Sequence, residues 1–172
     1  PEVLMDGCHH YDRTAEVQER IIQETYFACE KLGVYLEGTL LKPSMTCCGA
    51  ECPDKVTPSE VACKTMDVML KSVPEKVAGI VFLSGGLSEE AASIYLNEMN
   101  NNSTNYPWNV SFSYGRALQH SCLKAWAGGN ILAGQEALIA RAQANSEANR
   151  GIYVPNSQPS SDEKLYVAGY TY

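Results

Sequence analysis

The ten residues Val77 to Gly86, VAGIVFLSGG, are apolar until they stop at a serine and two glycines. The run has no polar face. It reads as a strand covered on both sides, as in a parallel sheet with helices packed above and below. Two further runs fit the same pattern. Val34 to Lys42 ends at Pro43, and Pro107 to Gly115 ends at Arg116. Pro1 to Leu4 reads as the frayed end of a fourth strand.

Helical stretches lie between these runs. Thr14 to Leu32 places Val17, Ile21, Thr25, Ala28 and Leu32 on one face, and Gly33 stops it. Thr57-Pro58-Ser59-Glu60 is a capping box with proline at the first helical position. The helix it starts turns Val61, Thr65, Val68 and Met69 inward, and Val73-Pro74 closes it. Ser88-Glu89-Glu90 opens another helix, with acids where the helix dipole favours them. RALQHSCLKAW, from Arg116, continues the third strand as a helix. Ile131 to Asn145 is a long last helix, with Ile131, Gln135, Leu138, Ile139 and Ala142 on its apolar face. Strands alternating with helices predict an α/β fold with a parallel sheet and right-handed crossovers. From Pro155 the composition turns polar, which predicts a folded α/β domain over 1–154 and a flexible C-terminal tail over 155–172. That tail nevertheless ends LYVAGYTY, apolar and aromatic again.

Charge narrows the function. The net charge is -7 with no block of Lys or Arg, so no nucleic-acid partner is expected. No run approaches the ~20 apolar residues that span a bilayer, so no membrane partner is expected either. No secretory signal is visible. The chain opens Pro1-Glu2-Val3-Leu4 without Met and reads as cut from something longer. Its seven cysteines form no even disulfide framework, and a reducing compartment is the simpler reading. The triplets that start at Asn101, Asn102 and Asn109 match the glycosylation pattern, which carries no meaning without secretion.

In parallel α/β folds the site lies at the C-terminal ends of the strands. Lys42 stands at the first of these ends. It reads either as a surface lysine capping an edge strand or as an amine kept neutral by apolar neighbours such as Leu40 and Leu41. A neutral amine attacks a ketone and forms an iminium, an electron sink for breaking the next C–C bond. Ser84-Gly85-Gly86 stands at the second end. It is a tight turn, or a turn whose amides meet an anion at the following helix. Ser113-Tyr114-Gly115-Arg116 repeats that device with a guanidinium, which suits a phosphate. A solvated arginine is the plainer reading, though a cation at a helix start opposes the dipole.

Lys42 within EGTLLKPSM, the FLSGG run from Phe82, PWNVSFSYGRALQ from Pro107 and the terminal tyrosine together resemble class I fructose-bisphosphate aldolase. The resemblance covers essentially the whole chain. It implies the C-terminal half of a (β/α)8 barrel, with PEVLMDG at the fifth strand. It implies that Lys42 is the Schiff-base lysine. Ser84, Gly85, Gly86, Ser113, Gly115 and Arg116 would hold the substrate's C1 phosphate and its neighbourhood. Glu2 would be the second carboxylate of a Glu-Pro-Glu motif, and Tyr172 the C-terminal tyrosine that assists enamine protonation. The implied reaction is reversible cleavage of fructose 1,6-bisphosphate to two triose phosphates, in glycolysis, gluconeogenesis or the Calvin cycle. No metal or organic cofactor is implied. DRTAEV, LLKPSM, VSFSY and GYTY look closest to the plastid form, which implies the chloroplast stroma, with the cytoplasm as the alternative. A homotetramer is implied for the full-length protein. The chain alone is expected to be inactive, because the family's other carboxylate, aspartate, lysines and arginine lie upstream of it.

The sequence departs from the family at Thr46-Cys47-Cys48-Gly49, after the lysine, and at Glu89-Glu90-Ala91. Two other readings stay open. Cys47, Cys48 and Cys52 with Cys8-His9-His10 define a metal-stabilised binding module, although their spacing fits no standard zinc pattern. Another Schiff-base lyase acting on a sugar phosphate, such as a transaldolase or deoxyribose-phosphate aldolase, shares the lysine chemistry but lacks this tyrosine tail and this spacing.

Overall fold

A computed structural model describes residues 1–101 and 105–169. The elements run α1 (Tyr11–Lys31), a 3-10 turn (Leu36–Gly38), β1 (Leu40–Leu41), α2 (Pro58–Ser72), β2 (Gly79–Phe82), α3 (Glu89–Asn101), β3 (Asn109–Phe112), α4 (Arg116–Trp126) and α5 (Ile131–Asn149). The three strands form one parallel sheet in sequence order, with Leu40 opposite Gly79 and Ile80 opposite Val110. This is the parallel α/β alternation expected from the sequence.

The strands are shorter than their apolar runs. Leu36 to Gly38 is not extended. Gly38 and Thr39 donate backbone N–H groups to Tyr35 O and Leu36 O and close the 3-10 turn, so only Leu40–Leu41 pairs with β2. The ten-residue run from Val77 pairs as a strand over four residues, and Ile80 and Phe82 are fully buried there. Pro1 to Leu4 joins no ladder as an assigned strand. It lies beside the chain that follows β1, where Ser44 N donates to Pro1 O at 3.1 Å and Val3 N donates to Ser44 Oγ at 3.2 Å.

α2 follows the sequence closely. Thr57 and Glu60 form the reciprocal capping box, and Val61, Thr65, Val68 and Met69 are buried. The faces of α1 and α5 differ from expectation. α1 buries Thr14, Gln18, Ile22 and Tyr26, one position round from the apolar stripe. The cause is Gln18, whose Nε2 donates to Ser44 O at 2.6 Å while its Oε1 accepts from Thr46 Oγ1 at 2.6 Å. Buried amides are retained when their polar atoms are met. α5 buries Gly134, Arg141, Ala144, Asn145 and Ala148, and leaves Ile131, Leu138 and Ile139 exposed.

Arg141 and Asn145 face a buried polar network at the start of α3. Glu89 and Glu90 do occupy the first turn, but they are buried rather than solvated. Arg141 Nη2 donates to Glu89 O (2.9 Å) and Ser93 Oγ (2.6 Å), and Nη1 lies 3.9 Å from Glu90 Oε2. The two carboxylates then gather α4 and the chain beyond α5. Glu90 accepts from Tyr153 OH and Asn156 N, and Glu89 accepts from Ser161 N and Ser121 N. Among the described residues, 150–169 contain no helix or strand, yet they are held at these points.

The loop after Lys42 is set by Gly49, whose N–H donates to His9 O at 2.8 Å. A Cβ on Gly49 would overlap the Gly7 carbonyl, which is backbone and cannot swing away. Gly49→Ala is therefore expected to destabilise the protein by about 1–3 kcal/mol through forced backbone shifts, read as a lower urea midpoint. An unchanged midpoint would show that the loop relaxes freely.

Candidate active site

Three hydrogen bonds carry the sheet past its formal ends. Ser44 N reaches Pro1 O, Leu83 N reaches Pro43 O at 2.9 Å, and Ser113 N reaches Phe82 O at 2.9 Å. They align residues 1–2, 42–44, 83–84 and 113 along one edge, the C-terminal edge of the strands. An open cleft of about 720 Å³ lies there. Seven of the sequence-predicted residues line it: Glu2, Lys42, Ser84, Gly85, Ser113, Gly115 and Arg116. They come from four separate segments, and the parallel register alone brings them together.

Each position has a local cause. Pro43 follows Lys42 directly, is buried, and uses its carbonyl to hold Leu83. Ser84 is buried, and its Oγ accepts from Ala117 N in the first turn of α4. That bond ties the second strand end to the helix that starts at the third. Gly85 has φ +53, a left-handed conformation open to glycine, and a Cβ there would sit 3.3 Å from Glu2 Oε1. Gly115 is the N-cap of α4 and has no side chain to fold over the helix start. Lys42 and Arg116 bring two cations to a cleft in which Glu2 is the one carboxylate among the described lining residues. A helix N-terminus with a guanidinium and an ammonium nearby favours an anion with several charged oxygens, such as a phosphate.

Two expected residues stand elsewhere. Gly86 does not line the cleft. Its carbonyl accepts from Leu165 N at 3.1 Å, and a Cβ there would meet Tyr166 Cβ at 2.7 Å. It is a glycine because the C-terminal segment crosses it. Tyr172 lies outside the described residues. Of the two apolar neighbours expected to cover Lys42, Leu41 is buried but Leu40 is not. Leu40 is 62% exposed and Lys42 is exposed.

Asp6 carries no local sequence signal. Its Oδ1 accepts from Tyr166 OH at 3.0 Å and from Gly169 N at 2.8 Å. Arg116 Nη1 donates to Leu165 O at 2.6 Å, so the same segment touches a cleft residue. The Gly169 amide, and next the Tyr166 hydroxyl, hold the Asp6 carboxyl below its ordinary value. A lowered value in the folded state means that the contact is present above the ordinary carboxylate range and is lost as the pH falls through the lowered value. In an NMR titration the Gly169 amide is expected to shift with a midpoint below the usual ~3.9 of an aspartate. A midpoint at the usual value would contradict the contact.

Among the described residues no group of three or more His, Cys, Asp or Glu is placed to hold a metal ion. Burial pushes the Cys47 thiol up to about 12 and raises that of Cys48.

Comparison with known proteins matches the model of the family described as fructose-bisphosphate aldolase class-I over residues 1–172. Over its whole length the chain is 49% identical to fructose-bisphosphate aldolase B of Gallus gallus, covering 48% of that protein. It is 46% identical to the chloroplastic aldolase of Oryza sativa subsp. japonica, covering 45% of it, and 47% identical to the cytoplasmic isozyme of Spinacia oleracea, covering 49%. The chain thus spans about half the length of the curated relatives it matches. Its structure is similar, with a TM-score of 0.87 and 44% identity, to the Plasmodium falciparum fructose-bisphosphate aldolase solved in complex with TRAP and a small-molecule inhibitor. The match covers 90% of this chain and 45% of that one. Chloroplastic and cytoplasmic proteins both stand among the relatives.

Proposed function

Because the chain belongs to the class-I fructose-bisphosphate aldolase family, we propose that it contributes the Schiff-base lysine and part of the phosphate site to an aldolase that cleaves fructose 1,6-bisphosphate. The observation that carries this reading is the single cleft that joins Lys42 to Glu2, Ser84, Gly85, Ser113, Gly115 and Arg116. Lysine at a strand end beside two anion-binding turns suits a phosphorylated ketone. The turns hold the phosphate, and the amine meets the carbonyl.

The proposed chemistry begins when the neutral Lys42 Nζ attacks C2 of the open-chain sugar. The carbinolamine loses water and becomes an iminium. A base takes the C4 hydroxyl proton, the C3–C4 bond breaks, and its electron pair moves into the iminium to give an enamine. Glyceraldehyde 3-phosphate leaves. Protonation of the enamine at C3, through Tyr172 and a carboxylate, regenerates the iminium, and water releases dihydroxyacetone phosphate from Lys42. Glu2 is the proposed nearby carboxylate. The cationic iminium is itself the electron sink, so the reaction as written needs no metal. Apolar cover for the amine would come from parts of the protein outside this chain, since Leu40 leaves Lys42 open.

The wider reading rests on the family resemblance. The domain is proposed as the C-terminal half of a (β/α)8 barrel, with a homotetramer as the working assembly. The plastid stroma is the proposed compartment, carried by the DRTAEV, LLKPSM, VSFSY and GYTY stretches, with the cytoplasm as the alternative. The test is an assay of the intact protein with fructose 1,6-bisphosphate in the presence of a chelator. Sustained release of triose phosphates is the expected result. No cleavage, or cleavage that the chelator abolishes, would overturn the reading.

A further inference from the structure

We propose that Asp6 is a positioning residue that docks the C-terminal segment along the rim of the Lys42 cleft. Four contacts define the docking groove. Asp6 Oδ1 takes both the Tyr166 hydroxyl and the Gly169 amide. Gly86 O takes the Leu165 amide, and Arg116 Nη1 takes the Leu165 carbonyl. Leu165 is buried between these points. Gly86 has no room for a Cβ because Tyr166 Cα and Cβ lie at 2.8 and 2.7 Å from where it would stand. A backbone seat shaped this closely, with its tethers on Arg116 of the cleft and on residues close to it, is built for one occupant, and the occupant is this chain's own residues 165–169.

Upstream, the segment is already held where Asn156 and Ser161 meet Glu90 and Glu89, and where Glu163 meets His120 and Lys124. Those contacts fix its path but lie on α3 and α4, away from the cleft. Among the described residues, Asp6 is the last anchor before the chain end. Asp6 therefore fixes Gly169 at the rim, three residues short of Tyr172 in the sequence. The docking stands on geometry alone. Its catalytic consequence rests on the aldolase reading, in which Tyr172 assists the enamine step.

Hydrogen–deuterium exchange on the intact protein separates the two. Asp6→Ala should raise exchange in the peptide over 165–169 by roughly tenfold or more, with β2 unchanged. Asp6→Asn should recover much of the protection, because an amide oxygen still accepts two bonds. Tyr166→Phe removes one of the two bonds and should give a smaller rise. Combined with Asp6→Ala it should add nothing, since the two groups act as one unit. In the cleavage assay Asp6→Ala should lower kcat several-fold with little change in KM, a split that general unfolding does not produce. Equal exchange in parent and Asp6→Ala would overturn the proposal. If Asp6→Ala also loosens β2, Tyr166→Phe alone decides: no rise in exchange over 165–169 would overturn it. A parent protein without aldolase activity would refute the function reading and leave the docking result standing.

Discussion

Lys42→Arg is expected to abolish cleavage of fructose 1,6-bisphosphate by the intact protein, lowering kcat by roughly four orders of magnitude or more, as losses of a covalent nucleophile do. The substitution keeps the positive charge at the strand end but removes the chemistry. A guanidinium does not lose its proton in a protein, so it has no lone pair for the carbonyl. Binding of the phosphate should survive, because the charge in the cleft is unchanged and Ser84, Gly85, Ser113 and Arg116 are untouched. The expected signature is therefore lost turnover with retained affinity for the sugar bisphosphate. Turnover within tenfold of the parent would mean that Lys42 is the edge-strand lysine of the plainer reading.

The second large effect is on stability. Arg141→Met is expected to cost about 3–5 kcal/mol, the usual result of removing one partner from a buried charge pair. Arg141 and Glu89 are fully buried, and Glu90 nearly so. Without the guanidinium, Glu90 would keep donors from Tyr153 and Asn156 but lose the cation that Arg141 places beside it. Burial, and then the Glu90 carboxylate, push the Tyr153 phenol up, so it remains a donor and adds no compensating charge. One opposing effect is present. Among the described residues, Arg141 Nε is buried without a hydrogen-bond partner, and its loss relieves a cost of about 1–3 kcal/mol. Stranding a buried carboxylate outweighs that relief. Urea denaturation of the intact protein measures the net result. Adding Glu90→Gln should recover part of the loss, because it removes the unpaired charge. A midpoint for Arg141→Met equal to the parent's would show that the network contributes no net stability.

These residues also show where the sequence was readable. The continuous apolar run at β2, the Thr57–Glu60 box and the glycine-marked strand ends are local signals, and the structure realises them locally. The cleft was legible for the same reason, since a parallel sheet places its strand ends along one edge whatever the loops do. The faces of α1 and α5 were not. Periodicity treats Gln18, Arg141 and Asn145 as solvent-facing, yet each is buried because distant polar atoms satisfy it. The path of the C-terminal segment was illegible for a stronger reason. Asp6 and Tyr166 are separated by 160 residues, and no local pattern encodes a contact at that distance.

The central claim is that Lys42 forms the covalent bond to substrate. The direct measurement is borohydride reduction of the intact protein in the presence of dihydroxyacetone phosphate, followed by peptide mapping. One stable adduct is expected, on Lys42, and fructose 1,6-bisphosphate with borohydride should label the same lysine. An adduct on a different lysine, or none while the enzyme turns over, would contradict the claim.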